Sequence, residues 1–343
     1  MARYESRGEQ LLMELQARDA WNQRDYVRAQ ELAEQTANAA LDSKDEAGWW
    51  NAKFLASEAL RKQGRMHESK DVAELLEAQP LTKRSKALAA RVSTLMSFAL
   101  QGTGDLPGAV RAARTAVAHT RDAPGQKGIF MEAENALIAA LADSDQLDDA
   151  WKECLILADL LSTEPNSQAT GLGYWAIGNV AFLLRRVEEG VAYHELAANN
   201  LSPTNDLDLW ARFNLASASL RLTAGIVEPE TLECIERAEL ASSIVGGSER
   251  DRLELRVPRA QWLVLTGQYV SAIEQLTAIV EQKGLLATHV AAQVHFLLGQ
   301  ALSAGGHTMD AVVNLEASEG LFLQSGAEES ASSARALIAS IGA

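Results

Sequence analysis

The feature that most restricts this chain is a self-similarity with a period near forty. A Gly or polar residue, a polar residue, an apolar residue and, three positions on, a small residue recur together. The instances are Arg24-Asp25-Tyr26 with Ala29, Gly64-Arg65-Met66 with Ser69, Gly104-Asp105-Leu106 with Ala109, and Asp145-Gln146-Leu147 with Ala150. Arg185-Arg186-Val187 with Gly190, Gly267-Gln268-Tyr269 with Ala272, and Gly306-His307-Thr308 with Ala311 continue the series. With a weaker copy near Val227, the apolar anchors step by 40, 40, 41, 40, 40, 42 and 39 residues. A register held over eight copies describes one supersecondary unit stacked repeatedly, each copy burying its apolar face against the next.

Each copy reads as two helices. The Gly or polar pair marks a tight turn, because Gly enters the left-handed region at little steric cost. The small residue falls one turn into the second helix, where a large side chain would hold the two helices apart. Upstream lie apolar stripes at helical spacing, Ala133, Leu137 and Leu141 in the fourth copy and Val294, Leu298 and Leu302 in the eighth. Alanine, which loses no side-chain entropy in a helix, is about one residue in six. No segment alternates polar and apolar residues long enough for a sheet, so the fold class is all-α. Ser43-Lys-Asp-Glu46 and Ser248-Glu-Arg-Asp251 read as capping boxes. Pro80, Pro165 and Pro203 fall between copies, and Pro107 and Pro229 fall in first turns. Pro258 predicts a kink or a late helix start in the seventh copy.

Phe296-Leu297-Leu298-Gly299 followed by Ala311, Trp175-Ala-Ile177-Gly178, and the variant Phe213-Asn214-Leu215-Ala216 resemble the tetratricopeptide-repeat (TPR) pattern of a large residue, Leu-Gly, and a later Ala. The likeness covers essentially the whole chain, is degenerate in the first three copies, and departs from the family in its longer period. Such long pairs resemble the sensor arrays of bacterial transcription activators and peptide-pheromone receptors. The resemblance implies a right-handed superhelical α-solenoid of about eight helix pairs, with copies near 5–41, 43–79, 82–121, 127–163, 167–201, 205–245, 248–283 and 286–324. A capping helix is expected over 327–341. Those regulators carry a helix-turn-helix or an ATPase domain. Here the repeats take up the residues, so any regulatory output is expected to pass through another protein.

The family likeness also places first helices on the concave wall. Its groove face, opposite the core stripe, takes in Arg91, Thr94 and Phe98, then Asn135, then Trp175, Asn179 and Phe182. Phe213, Asn214 and Ser217 follow, then Gln261, and Gln293, Phe296 and Gln300. Amide side chains can bond an extended backbone as donor and acceptor, and aromatics supply pockets. The competing reading puts the aromatics between adjacent copies, with Asn214 at an inter-repeat edge.

Charge narrows the partners. The net charge is −15, which argues against a general nucleic-acid binder. Residues 81–128 nevertheless carry eight Lys/Arg against two Asp, a local +6 that leaves −21 elsewhere. Lys83, Arg84 and Lys86 in that segment form a candidate patch for an acidic partner, set against a solvated face or contact with an acidic neighbouring copy. The amino terminus has charges and no apolar run, and the longest apolar stretch, Gly171 to Leu184, is too short and polar to span a bilayer. A cytoplasmic location without membrane association is expected.

Catalytic motifs fail one by one. Gly171-Leu-Gly173-Tyr-Trp-Ala176 has the glycine spacing of a dinucleotide fingerprint without the preceding strand. No P-loop, H-E-x-x-H or G-x-S-x-G occurs. Asp143-Ser-Asp145-Gln-Leu-Asp148-Asp149 lacks the central Gly and terminal Glu of a calcium loop and reads as an inter-helix turn. Cys154 and Cys234 form no C-x-x-C pair, so neither disulfides nor a Cys-based zinc site is expected. The leading expectation is a non-catalytic protein- or peptide-binding solenoid, an adaptor or stand-alone sensor, without cofactor or metal; self-association as a homodimer is compatible with it. A small-molecule sensor array and an enzyme on a helical toroid are the other two readings.

Overall fold

A computed structural model describes residues 2–121, 125–246 and 248–341, with side chains described from Gly8 onward. The described residues are helices and turns, with no strand. Consecutive helices are α1 (Ala2–Asn22) and α2 (Tyr26–Ser43), α3 (Glu46–Lys62) and α4 (Met66–Glu77), then the short α5 (Pro80–Arg84). Next come α6 (Lys86–Thr103) and α7 (Leu106–Thr120), α8 (Lys127–Asp143) and α9 (Leu147–Leu161), and α10 (Gln168–Leu183) and α11 (Val187–Asn200). The chain continues with α12 (Leu207–Thr223) and α13 (Pro229–Val245), α14 (Glu249–Leu265) and α15 (Tyr269–Val280), α16 (Thr288–Ala304) and α17 (Thr308–Gln324), and finally α18 (Glu328–Ile341). They fall into two compact units, Met1–Arg186 and Val187–Ala343, divided in the turn after α10.

The turn chemistry carries the repeat. The residue ahead of each turn has positive φ: Arg24, Gly64, Gly104, Asp145, Arg185, Gly225, Gly267 and Gly306, spaced as the anchors are. In every copy the next N–H bonds a carbonyl five residues back, as Arg65 N to Leu60 O at 3.0 Å and His307 N to Leu302 O at 2.9 Å. This closes the last helical turn in the Schellman manner. Three copies reach the left-handed region with Arg or Asp. The small residue that follows is fully buried in seven copies, Ala29, Ser69, Ala109, Ala150, Gly190, Ala272 and Ala311. In the sixth copy Ile226-Val227-Glu228 lengthens the turn by one residue, and Thr231 takes the buried position.

Small residues on the leading helix meet those on the trailing one. Ser57 and Ser69 clasp each other, each hydroxyl donating to the other's backbone carbonyl at 2.9 and 3.0 Å. A Cβ on Gly299 would lie 2.6 Å from Leu315 Cγ. Large residues fill the gaps between copies: Trp50, Phe54, Leu76, Val92 and Leu95 in one cluster, and Leu253, Leu263, Leu276, Val294 and Leu298 in another. Some local expectations change. Asp45 caps α3, its carboxylate accepting from Gly48 N at 2.9 Å, while Ser43 ends α2 and bonds Gln10; the Ser248–Asp251 box is present. Pro258 lies inside a continuous α14 that begins well ahead of it, so the late start does not occur. Pro80 opens the extra helix α5.

Within each unit, adjacent leading helices pack directly: α3 with α6, α6 with α8 and α8 with α10 in the first, α12 with α14 and α14 with α16 in the second. Neighbouring trailing helices do not pack comparably among the described residues. The closer approach makes the leading-helix side the inner side of each unit.

Candidate functional site

Counting back from the left-handed turn residue puts the leading helices in a common register. Six residues before it stand Arg18, Glu58, Phe98, Ala139, Asn179, Ser219, Gln261 and Gln300, and two turns earlier stand Leu11, Asn51, Arg91, Glu132, Leu172, Arg212, Glu254 and Gln293. Every one of these is partly or fully exposed, and most have buried residues beside them in the helix. These two rows are seven residues apart on each helix, hence on one face. They form the inner strip of each unit.

In the first unit this strip is aromatic and charged. The Arg91 guanidinium lies 4.1 Å from the centre of the Phe54 ring and 5.5 Å from that of Trp50. Arg61 lies 4.9 Å over Phe98. Such cation–π contacts hold the cations without consuming their charge. Burial pushes the Glu58 carboxyl above its ordinary range, with Arg61 and Arg91 pulling it back, and burial likewise raises Glu132 against Arg91. A cavity of about 250 Å³ opens beside Glu14, Arg18, Thr36, Asn51, Glu58 and Arg91. Asn135 presents a buried Oδ1 with no hydrogen-bond partner. In the second unit Gln293 Nε2 donates to Gln261 Oε1 at 3.3 Å, bridging two leading helices, and Phe296 meets Phe322 edge-on at 6.5 Å.

Of the residues expected on the groove, Arg91, Asn135, Trp175, Asn179, Gln261, Gln293 and Phe296 keep accessible surface on leading helices. Phe213 and Asn214 do not: each is 2% exposed. Phe213 packs edge-on against His194, and the Asn214 amide donates to Trp210 O at 2.8 Å in its own helix. Matching Phe-Asn-Leu-Ala to Trp-Ala-Ile-Gly set the register two residues early. The turn at Gly225 makes Leu215 the counterpart of Trp175 and Ala218 that of Gly178. Ser217 is buried too, bonding His194 Nδ1 at 3.0 Å, and Thr94 is 7% exposed. Phe182 is buried at the helix end, as are its counterparts Leu222 and Val264. Glu58, Asn51 and Glu132 were missed, although stepping 40 or 41 residues from Arg91 and Phe98 reaches them.

The basic segment divides in two. Arg114 approaches Asp149 at 3.9 Å, Arg121 approaches Glu153 at 3.4 Å and Glu134 at 3.7 Å, and Lys127 pairs with Glu164 at 2.7 Å. These cations neutralise the acidic fourth copy. Lys83, Arg84 and Lys86 are exposed and pair with no described carboxylate. Asp122, counted in that segment, lies outside the described residues. Glu134 is fully buried; burial, with the nearby Glu153 charge, pushes its carboxyl up to about 7 while Arg121 opposes.

The remaining motifs have ordinary placements. Gly171 to Ala176 lies inside α10, so no turn presents amides to a pyrophosphate. His295 bonds Asn314 Oδ1 at 2.9 Å. Both cysteines are free and buried. No described group of three or more His, Cys, Asp or Glu is placed to hold a metal ion, and no described helix is long and apolar enough to cross a membrane.

No protein-family model and no curated protein matches the chain. Solved structures do. A chain of the APC/C hetero-tetramer Cut9–Hcn1 aligns at 12% identity and TM-score 0.64 over 93% of this chain; this chain spans 55% of that one, about half its length. Rap protein complexed with competence and sporulation factor aligns at 10% identity and TM-score 0.58, over 98% of both chains. A tetratricopeptide repeat protein from Parabacteroides merdae aligns at 12% identity and TM-score 0.50, over 85% of this chain and 98% of that one. With left-handed turns in register, buried small residues between paired helices and these neighbours, the chain has the fold of a tetratricopeptide-repeat protein, an all-α solenoid.

Proposed function

We propose that this chain is a non-catalytic scaffold that captures a protein segment or peptide on the inner strip of its leading helices, as an adaptor or stand-alone signalling sensor in the cytoplasm. The observation that carries the reading is the pair of accessible rows. In most copies they hold aromatic, amide or charged groups that keep accessible surface. Arg91 between Phe54 and Glu58 and the Gln261–Gln293 bridge offer donors, acceptors and flat apolar surface to an extended backbone. Two similar folds were crystallised with partners, Rap with competence and sporulation factor and Cut9 with Hcn1, which supports the same use here. The cavity beside Arg91, about 250 Å³, is below the roughly 300–1,000 Å³ of small-molecule pockets, so it suits one side chain of a peptide better than a metabolite. The overall charge of −15 sets the reading against nucleic acid.

The test is a pull-down from a bacterial lysate with mass spectrometry, comparing the native chain with the double variant Trp175→Ala and Asn179→Ala. Partners bound by the native chain are expected to be lost from the variant while its circular dichroism stays helical. A helical variant that retains the same partners discards the inner-strip assignment.

A further inference from the structure

A second recess lies away from the inner strip, where the connection between the second and third copies makes an extra turn. Trp50 Nε1–H donates to Thr82 Oγ1 at 2.8 Å, and Thr82 in turn donates to Leu76 O at 2.6 Å, both inside the fold. These buried bonds pin α5 against α3 and α4 as a fixed ledge. Between this ledge and the α2–α3 turn opens a cleft of about 570 Å³, lined by Leu41, Lys44, Trp49, Trp50, Pro80 and Leu81 among others. That is within the roughly 300–1,000 Å³ of binding pockets. Its floor is apolar and aromatic. Leu41 is 60% exposed, and the Trp49 indole N–H has no hydrogen-bond partner among the described residues. Just beyond Pro80 and Leu81, which line the cleft, the rest of α5 and the start of α6 carry Lys83, Arg84 and Lys86, outside the lining itself, all exposed and unpaired with any described carboxylate. The opposite lip, the α2–α3 turn, carries Lys44, Glu46 and Asp45, the last accepting from Gly48 N and Gln10, so the cationic attraction lies on the α5–α6 side alone.

We propose that this cleft docks a short acidic–apolar segment of a partner protein, separate from whatever the inner strip holds. One large apolar side chain fills the space over Trp49, Leu41 and Leu81, and its backbone or side chain accepts from the Trp49 indole. Flanking Asp or Glu residues pair with Lys83, Arg84 and Lys86. Charge complementarity selects this occupant: the chain is otherwise strongly acidic, so three unpaired cations on α5 and the adjoining start of α6 are a local focus for anionic groups. Their spread over four residues and two helices fits several carboxylates along a peptide better than a single carboxylate headgroup.

The experiment selects a displayed library of random twelve-residue peptides on the full chain. The same selection is run on the triple variant Lys83→Glu, Arg84→Glu, Lys86→Glu and on Leu41→Asp. All four positions are exposed, so the variants are expected to keep their helical circular dichroism. Peptides with two or more Asp or Glu around a Leu, Phe or Trp should enrich on the native chain. Their recovery should fall about tenfold or more on each variant, the loss of about 1.4 kcal/mol in binding, and fall with added salt. Trp175→Ala with Asn179→Ala should leave that recovery unchanged. Equal enrichment on the native chain and the variants, selection of basic peptides, no enrichment at all, or displacement of the selected peptides by laurate would each overturn the proposal.

Discussion

Glu134→Gln removes a carboxyl group that the fold holds out of water. Glu134 sits on α8 with no exposed side-chain surface, and the nearest cation, Arg121, is 3.7 Å away and shared with Glu153 at 3.4 Å. Its carboxyl is pushed from an ordinary 4.5 to about 7. At about 1.4 kcal/mol per pH unit, the ionised form loses at most roughly 3 kcal/mol relative to an unfolded chain. The sign follows from a folded value above the unfolded one. The contribution is fully present below about 4.5 and is lost as pH rises through about 7. The native protein should therefore melt lower at pH 8 than at pH 5, and Glu134→Gln should remove part of that difference. In a unit of this size roughly 2–4 °C accompany each kcal/mol, so the variant should melt up to about 10 °C higher at pH 8. Thermal melts by circular dichroism at pH 5, 6, 7 and 8 read this directly. A difference between variant and native protein that is the same at pH 5 and pH 8 would refute the reasoning.

Gly299→Ala should destabilise by about 1–3 kcal/mol, since its Cβ meets the buried Leu315. Gly320→Ala, which meets nothing within 4 Å, should stabilise by roughly 0.5–1 kcal/mol; melting curves that move both in the same direction would contradict the packing. Trp50→Phe removes the donor to Thr82 at a loss of about 1 kcal/mol. Limited trypsin digestion should then cut faster at Lys83 and Arg84, and an unchanged cleavage rate would show that α5 is held by other contacts.

Much of the fold was legible because its signal is local and repeated. The left-handed turn and the small residue five positions after it are short-range requirements, so each copy has to write them out. Where Gly is replaced, as at Arg24, Asp145 and Arg185, neighbouring copies still reveal the register. The inner strip was legible only where that register was carried through. Residues such as Gln261, Gln293 and Phe296 came from correct spacing, whereas Phe213 and Asn214 came from a motif match two residues out of step. On a helix two residues turn the side chain through about 200°, enough to exchange groove for core. Glu58 and Glu132 carry no motif; the repeat step reaches them, and they stand out once Arg91 is seen between aromatic rings and carboxylates drawn from two neighbouring helices.

What the amino-acid order determined by itself is the unit of construction: two helices, a left-handed turn between them, a small residue where they touch, and the period at which this recurs. Those follow from backbone sterics and side-chain volume within about forty residues. What tertiary packing decided is which polar groups share a surface. Arg121 was assigned to the fourth copy's acids, Lys83, Arg84 and Lys86 were left unspent on a ledge pinned by Trp50 and Thr82, and Glu134 was shut away from water. Charges and amides interact across copies at distances set by helix stacking, and no local rule of propensity or turn geometry encodes those distances.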